Sequence, residues 1–264
     1  MKRMILALSA LLTATAMLAC ANAASDTWDT IEARGYFIVG LDDTFAPMGF
    51  RDDDGNLVGF DVDLATEVAA RLGLEVRFQP IDWNAKILEL DAKNIDVIWN
   101  GLTITAERRE AIAFSSPYLE NRQIVITKSG AGIATLTDLA GKKLGVQLGS
   151  AAEDAVTASA VSATIDELLK YDDYATALLE LESGLVDAIV IDEVMGRYMV
   201  AQTSSSFVIL EANFGTEEYG IGFRLGDATF VQKVNEALAA MVADGTAGRI
   251  ASAWFGADVF LRQE

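Results

Sequence analysis

The sequence contains no histidine. That absence removes Ser-His-Asp and Cys-His catalytic machinery and the usual zinc and iron ligand sets, so only carboxylate, lysine or tyrosine acid–base chemistry remains. The balance shifts from catalysis towards binding, and neither cofactor nor metal is called for. Cysteine occurs once, at Cys20, so no intramolecular disulfide can form. Basic residues are also scarce: 20 Lys and Arg stand against 39 Asp and Glu, a formal charge of −19. Such a surface disfavours nucleic acid and anionic lipid, and no nucleic-acid partner is expected. Beyond the N-terminus no apolar run is long enough to span a membrane, and low-complexity segments are missing too.

What is present begins with an export leader. Residues 1–23 join basic Lys2 and Arg3 to an apolar stretch over 5–18 and small residues after it, the layout of a signal peptide. Two processing sites compete: AMLAC at 16–20 is a tolerable lipobox that would make Cys20 a lipidated N-terminus, and ANA at 21–23 suits ordinary signal peptidase. Either route exports the chain, to the periplasm or to the outer face of the cytoplasmic membrane. The 264 residues, 52% of them hydrophobic, allow one large or two modest cores.

Strand and helix patterns then alternate. A short helix over 28–34 precedes a strand at 36–39; Phe60, Leu64, Val68 and Leu72 recur at helical spacing up to Gly73, and a strand follows at 75–79. Later strands read at 123–127, 143–147 and 187–191, with helices at 228–242 and 247–254. The alternation implies βαβ units, hence an α/β fold with mostly parallel sheets flanked by helices. Lys93-Asn94-Ile95-Asp96 before one apolar strand is repeated by Gly184-Leu185-Val186-Asp187 before another, which suggests two similar lobes.

The chain is organised around residues 96–108, DVIWNGLTITAER, where an apolar run stops at Asn100-Gly101 and two hydroxyls lead to Arg108. Ligands of open α/β sheets sit beyond the carboxyl ends of strands, and an arginine fork suits a carboxylate, with the Thr103 hydroxyl adding a bond. Ser150, opening a helix with the amides of Ala151 and Ala152, is a second anion seat, although a capping box with Glu153 explains it equally. Asp192 ends a strand and could receive a cation or cap a helix. Two anion-seeking groups and one cation-seeking group together describe the main-chain part of a free amino acid. Asp42, Phe45, Met48 and Trp83 follow strand ends, where aromatic faces could sandwich a side chain and Asp42 could take its polar tip.

The segments GFDVDLA at 59–65, 96–108 with Ile112-Ala113-Phe114-Ser115, 138–149, and YGIGFR at 219–224 resemble the extracellular solute-binding proteins of polar amino-acid ABC transporters, solute-binding family 3. The resemblance covers nearly all the mature chain in order. It implies two α/β lobes of the periplasmic-binding-protein type: lobe one from 24–120 with 218–264, lobe two from 121–217, and hinge segments near 120–122 and 213–217. It implies that Arg108 takes the ligand α-carboxylate with Thr103, Ser150 and Ala151, that the Gly101 backbone and Asp192 meet the α-ammonium, and that Asp42, Phe45 and Trp83 line the side-chain pocket. A monomer that delivers its amino acid to an ABC permease in the cytoplasmic membrane is the implied partner scheme. Phe45, where several relatives carry tyrosine, and Ala152, where some basic-amino-acid binders are polar, leave the ligand open among basic, amide and sulfur-containing amino acids such as cystine. Cyclohexadienyl dehydratases resemble the same fold, and there Asp42 or Glu218 would serve as general acid. A ligand-sensing partner of a signalling receptor would use the same pocket.

Overall fold

The computed structural model describes residues 26–203 and 206–262, so the leader and Cys20 lie outside the described residues. Helix α1 (Trp28–Arg34) precedes β1 (Tyr36–Leu41), which buries Phe37, Val39 and Leu41. A small antiparallel sheet follows, made of β2 (Thr44–Phe45), β3 (Gly49–Arg51) and β4 (Leu57–Val58). The sequence reads this segment as loop and turn, because strands of two or three residues are too short to show a period of two. Helix α2 (Phe60–Leu72) carries the expected stripe, with Phe60, Leu64 and Val68 fully buried, and Gly73 ends it in the left-handed region at φ +70°.

The chain continues through β5 (Glu75–Pro80), α3 (Lys86–Asp91), β6 (Val97–Ile98), α4 (Ala106–Ala111) and β7 (Ile112–Phe114). Strand β8 (Leu119–Lys128) then enters a second sheet with β9 (Lys143–Gln147), α5 (Ala151–Ala158), β10 (Glu167–Tyr171), α6 (Tyr174–Ser183), β11 (Ala188–Asp192) and α7 (Glu193–Gln202). Strand β12 (Phe207–Tyr219) runs antiparallel to β8, and β13 (Gly222–Arg224) rejoins the first sheet before α8 (Ala228–Ala243) and α9 (Thr246–Phe255).

The two sheets share one plan. The first has the order β5-β1-β6-β13-β7 and the second β10-β9-β11-β8-β12; in each, three parallel strands are followed by antiparallel additions. The repeated aspartates play matching parts. Asp96 exchanges its amide and carboxylate with the carbonyl and amide of Ile38, at 2.8 and 2.7 Å, and Asp187 does the same with Lys143, at 2.8 and 2.9 Å. Each aspartate therefore seats the central strand of its sheet, β6 or β11, beside its parallel neighbour, β1 or β9. All of β11 is buried, as a strand covered on both faces requires. At their ends, β8 and β12 reach back to the first lobe: Tyr118 donates its amide to Tyr219, and Ile104 donates to Glu218. Among the described residues no helix is long and apolar enough to cross a membrane.

Candidate functional site

Helix α4 begins where Thr105 caps it, accepting the Arg108 amide at 3.0 Å, and this turns the Arg108 side chain towards the second lobe. Arg108 is 7% exposed, and its guanidinium donates to the carbonyls of Thr103 at 2.9 Å and Gly149 at 3.2 Å. Among the described residues it forms no ion pair, although Asp154, Glu217 and Asp192 act on it from farther off. Burial pulls its pKa down, yet a guanidinium stays charged. A buried fork that meets only carbonyls has the charge and the geometry to receive an anion.

Asp192 ends β11 and stands at the N-cap of α7, but its side chain caps nothing. Instead its carboxyl accepts from Tyr219 Oη at 2.6 Å, Asn121 Nδ2 at 2.7 Å and Gln123 Nε2 at 3.0 Å. Burial first, then the charge of Glu217, pushes its pKa up to about 7. Glu217, which the sequence reading does not single out, accepts from the same Asn121 and Gln123 nitrogens at 2.6 and 2.8 Å, and from Thr103 Oγ1 at 2.9 Å. In this structure the one hydroxyl proton of Thr103 goes to Glu217, which leaves the lone pairs of its oxygen able to accept from an N–H group.

Gly101 sits between these ends at φ +59°, and a Cβ there would meet the Phe45 ring at 2.9 Å and Tyr219 at 3.2 Å. Its amide is held at 2.7 Å by Asp61, a buried carboxyl that also accepts Tyr118 Oη at 2.9 Å and whose pKa burial raises to about 7. Across the cleft, Ser150 Oγ accepts the Glu153 amide at 3.1 Å. The expected capping box is displaced by one residue, since the Glu153 carboxylate returns to the Gly149 amide at 2.7 Å. The first-turn amides of Ala151 and Ala152 have no intrahelical acceptor and supply the positive end of α5.

A cavity of about 10 Å³ is lined by Phe45, Trp83, Gly101, Thr103, Arg108, Gln147, Ser150, Ala151 and Asp192. Every expected site residue of the described chain is there except Asp42. That carboxyl is turned aside into a local turn, accepting from Thr44 N at 2.9 Å and Thr44 Oγ1 at 2.6 Å, and its other oxygen takes Gln147 Nε2 at 2.7 Å. Asp42 therefore stands behind Gln147, and burial raises its pKa. Glu218, the other candidate acid, is exposed outside the cavity. Met48 is core, fully buried.

The sequence also gives no sign of Gln147, Lys86, Asn121 and Gln123. Their signal is a polar residue where the surrounding strand or helix face is buried, which a single sequence does not expose. Lys86 lies over the Trp83 ring at 4.9 Å and donates to Gly149 O at 2.9 Å; burial and the neighbouring Arg108 pull its pKa down to about 7. Lys86 and Arg108 donating to Gly149, and Gln147 donating to Asp42, thus join the two lobes across the cleft. Gly149 allows this approach: at φ +72°, a Cβ would meet Asn84 Oδ1 at 2.9 Å. One end of the site presents a guanidinium and free amides, the other the Asp192 carboxyl with Glu217 behind it.

Comparisons with known proteins agree with this architecture. The chain is 36% identical over 231 residues to the L-cystine-binding protein TcyJ of Escherichia coli K12, covering 87% of this chain and 86% of that protein. It is 30% identical to the arginine-binding extracellular protein ArtP of Bacillus subtilis, over 97% of this chain and 98% of that one. Among solved structures, an ABC uptake transporter substrate-binding protein from Streptococcus pneumoniae with bound histidine superposes with a TM-score of 0.87 at 37% identity, covering 90% of this chain and 99% of the other. These relatives are amino-acid-binding proteins of two-lobed fold. A family model matches residues 37–257, and the chain belongs to the bacterial extracellular solute-binding proteins, family 3.

Proposed function

We propose that this protein captures a polar L-amino acid between its lobes outside the cytoplasmic membrane and delivers it to the permease of an ABC importer. The observation that carries the reading is the buried Arg108 fork without a carboxylate partner, facing the buried carboxyl of Asp192 across one small cavity. The ligand carboxylate would take the place of the Gly149 carbonyl on Arg108, with the Ser150 and Ala151 end of α5 adding positive potential. The ammonium would lie by the Gly101 carbonyl, Thr103 Oγ1 and Asp192. Phe45 and Trp83 would flank the side chain, and Gln147, held by Asp42, would meet its far end.

The cavity is far below the roughly 300 Å³ at which ligand pockets begin, so the lobes must part to admit an amino acid. A ligand that touches both lobes then favours the closed form, which is a population shift. The acidic wall beneath Gln147 favours a side chain with an N–H group at its far end, a class that includes arginine, ornithine, glutamine and the second ammonium of cystine. A dehydratase reading gains nothing from the geometry, because Asp42 is tied to Thr44 and Gln147, and Glu218 lies exposed outside the cavity. Export by the leader, with Cys20 as its lipid anchor, and a monomeric mature form complete the proposal.

The test is a thermal-shift screen of refolded, ligand-stripped protein against the common L-amino acids, L-cystine and L-ornithine. A ligand at about a hundred times its Kd adds roughly 2.7 kcal/mol, or about 5–10 °C for a chain of this size. A shift of that order from one or a few polar amino acids supports the proposal. No shift from any of them refutes it.

A further inference from the structure

Capture of the amino acid as proposed uses Asp192 and leaves Glu217 without a task. Two amide nitrogens, Asn121 Nδ2 and Gln123 Nε2, each donate to both carboxyls, and the two acids stand close enough to hydrogen-bond through a shared proton. The Asn121 amide is fixed in this sense because its own oxygen accepts the Val194 amide at 3.3 Å. A second observation points the same way. Gln123 is 2% exposed, and among the described residues the oxygen of the amide that serves both acids has no hydrogen-bond partner.

We propose that in the empty site Asp192 and Glu217 hold one proton between them, and that the ammonium of the bound amino acid displaces it, so that ligand capture releases a proton. The inference rests on the assignment of the ammonium to Asp192. Glu217 is a positioning residue here: it does not line the cavity, and it acts by setting the charge of Asp192 and by turning the Thr103 hydroxyl so that its lone pairs face the ammonium.

The surroundings agree with one shared proton. Asp192 is buried against the half-buried Glu217, an arrangement that disfavours a second charge without a cation, and among the described residues neither forms an ion pair. From β12, Tyr219 donates to Asp192 and stays protonated, its pKa held well above the ordinary value by burial and these acids. From α6, Tyr174 is likewise neutral. Strand β8 offers only the neutral Asn121 and Gln123. Glu193, next in the chain, is turned away to Arg122 and Arg197. Arg108 is the cation that faces the pair from the first lobe, and it acts at a distance. When the ammonium arrives, an O–H bond of the pair breaks, the proton goes to solvent, and N–H···O bonds take its place.

Isothermal titration calorimetry at pH 5.5, in two buffers of different ionisation enthalpy, counts that proton. L-arginine and L-cystine are the probes, since neither titrates near this pH. Lys86, whose pKa lies at about 7, is already charged at pH 5.5 and adds nothing to the count. The wild-type protein is expected to release about one proton per ligand, with affinity rising about tenfold per pH unit from 5 to 6 and levelling above 7. Glu217→Gln can still accept from Thr103 and donate to Asp192, and it is expected to bind with little proton release and a flat pH profile. Binding by the wild type with equal enthalpy in both buffers overturns the inference, whether or not the variant folds. An unchanged proton count in a folded Glu217→Gln variant overturns it as well. Failure of every amino acid to bind would instead overturn the proposed function.

Discussion

Replacing Arg108 by methionine separates binding from stability, because the structure assigns the two effects opposite signs. In this structure the guanidinium is buried, forms no ion pair among the described residues, and is held by two carbonyl oxygens. Desolvation of an ion in such a place costs several kcal/mol, and two hydrogen bonds of about 1.5–3 kcal/mol each offset it only in part. Methionine fills similar volume without a charge, and Gly149 O keeps its bond from Lys86. The empty variant should therefore lie within about 1 kcal/mol of the wild type or above it, a Tm no more than about 2–4 °C lower. With ligand the sign reverses. Removing one partner of a buried charge pair costs about 3–5 kcal/mol, so Kd should weaken by roughly a hundred- to several-thousand-fold. Scanning calorimetry of stripped protein and titration calorimetry with the amino acid found in the screen measure both halves. A variant that loses many degrees of Tm while keeping its Kd would show Arg108 to be a structural residue and refute the reasoning.

Two further predictions concern the same cleft. Gly101→Ala forces a side chain into the left-handed region, at about 1–2 kcal/mol, and drives Cβ against Phe45; Tm should fall by about 2–8 °C and ligand affinity should fall with it. A calorimetric scan indistinguishable from wild type would contradict the left-handed turn at Gly101. Asp61 and Asp192 both have folded pKa values raised to about 7, above their unfolded values, so the folded protein binds protons more tightly. Their contribution is fully present below about pH 4 and is lost as pH climbs through 7, while Lys86, depressed to about 7, acts only above that. The empty protein should thus melt at higher temperature at pH 5 than at pH 7, and Asp61→Asn should reduce the difference; a Tm that rises from pH 5 to 7 would contradict the sign.

Much of this molecule is legible in its sequence because burial and periodicity leave local marks. The stripe of α2 with Gly73 behind it, the span of α1, and the two aspartates before β6 and β11 all appear as expected. Polar residues at strand ends mark the cavity wall for the same reason. What escapes depends on contacts between distant segments. Glu217 lies on a long strand whose neighbours in sequence are exposed, and only pairing with β8 brings it beside Asp192, which is far away along the chain. Asp42 illustrates the opposite error: its place after β1 is right, but the hydroxyl of Thr44, two residues on, captures its carboxylate. Likewise Glu153 reaches Gly149 instead of Ser150, a difference of one residue that no spacing rule resolves.

The antiparallel pair β8 and β12, which runs from the second sheet back to the first, supplies Asn121, Gln123, Glu217 and Tyr219 around Asp192. Phe45 and Trp83, proposed above to flank the ligand side chain, sit instead on short elements, the two-residue strand β2 and a single helical turn after β5. Under the proposed function, recognition would be divided between two kinds of backbone. The ammonium end would be held by groups that two long strands gather around Asp192, and the side chain by short elements that can change without disturbing that pair. A chain built this way could exchange one amino acid for another by substitutions in those short elements and keep the same seat for the ammonium.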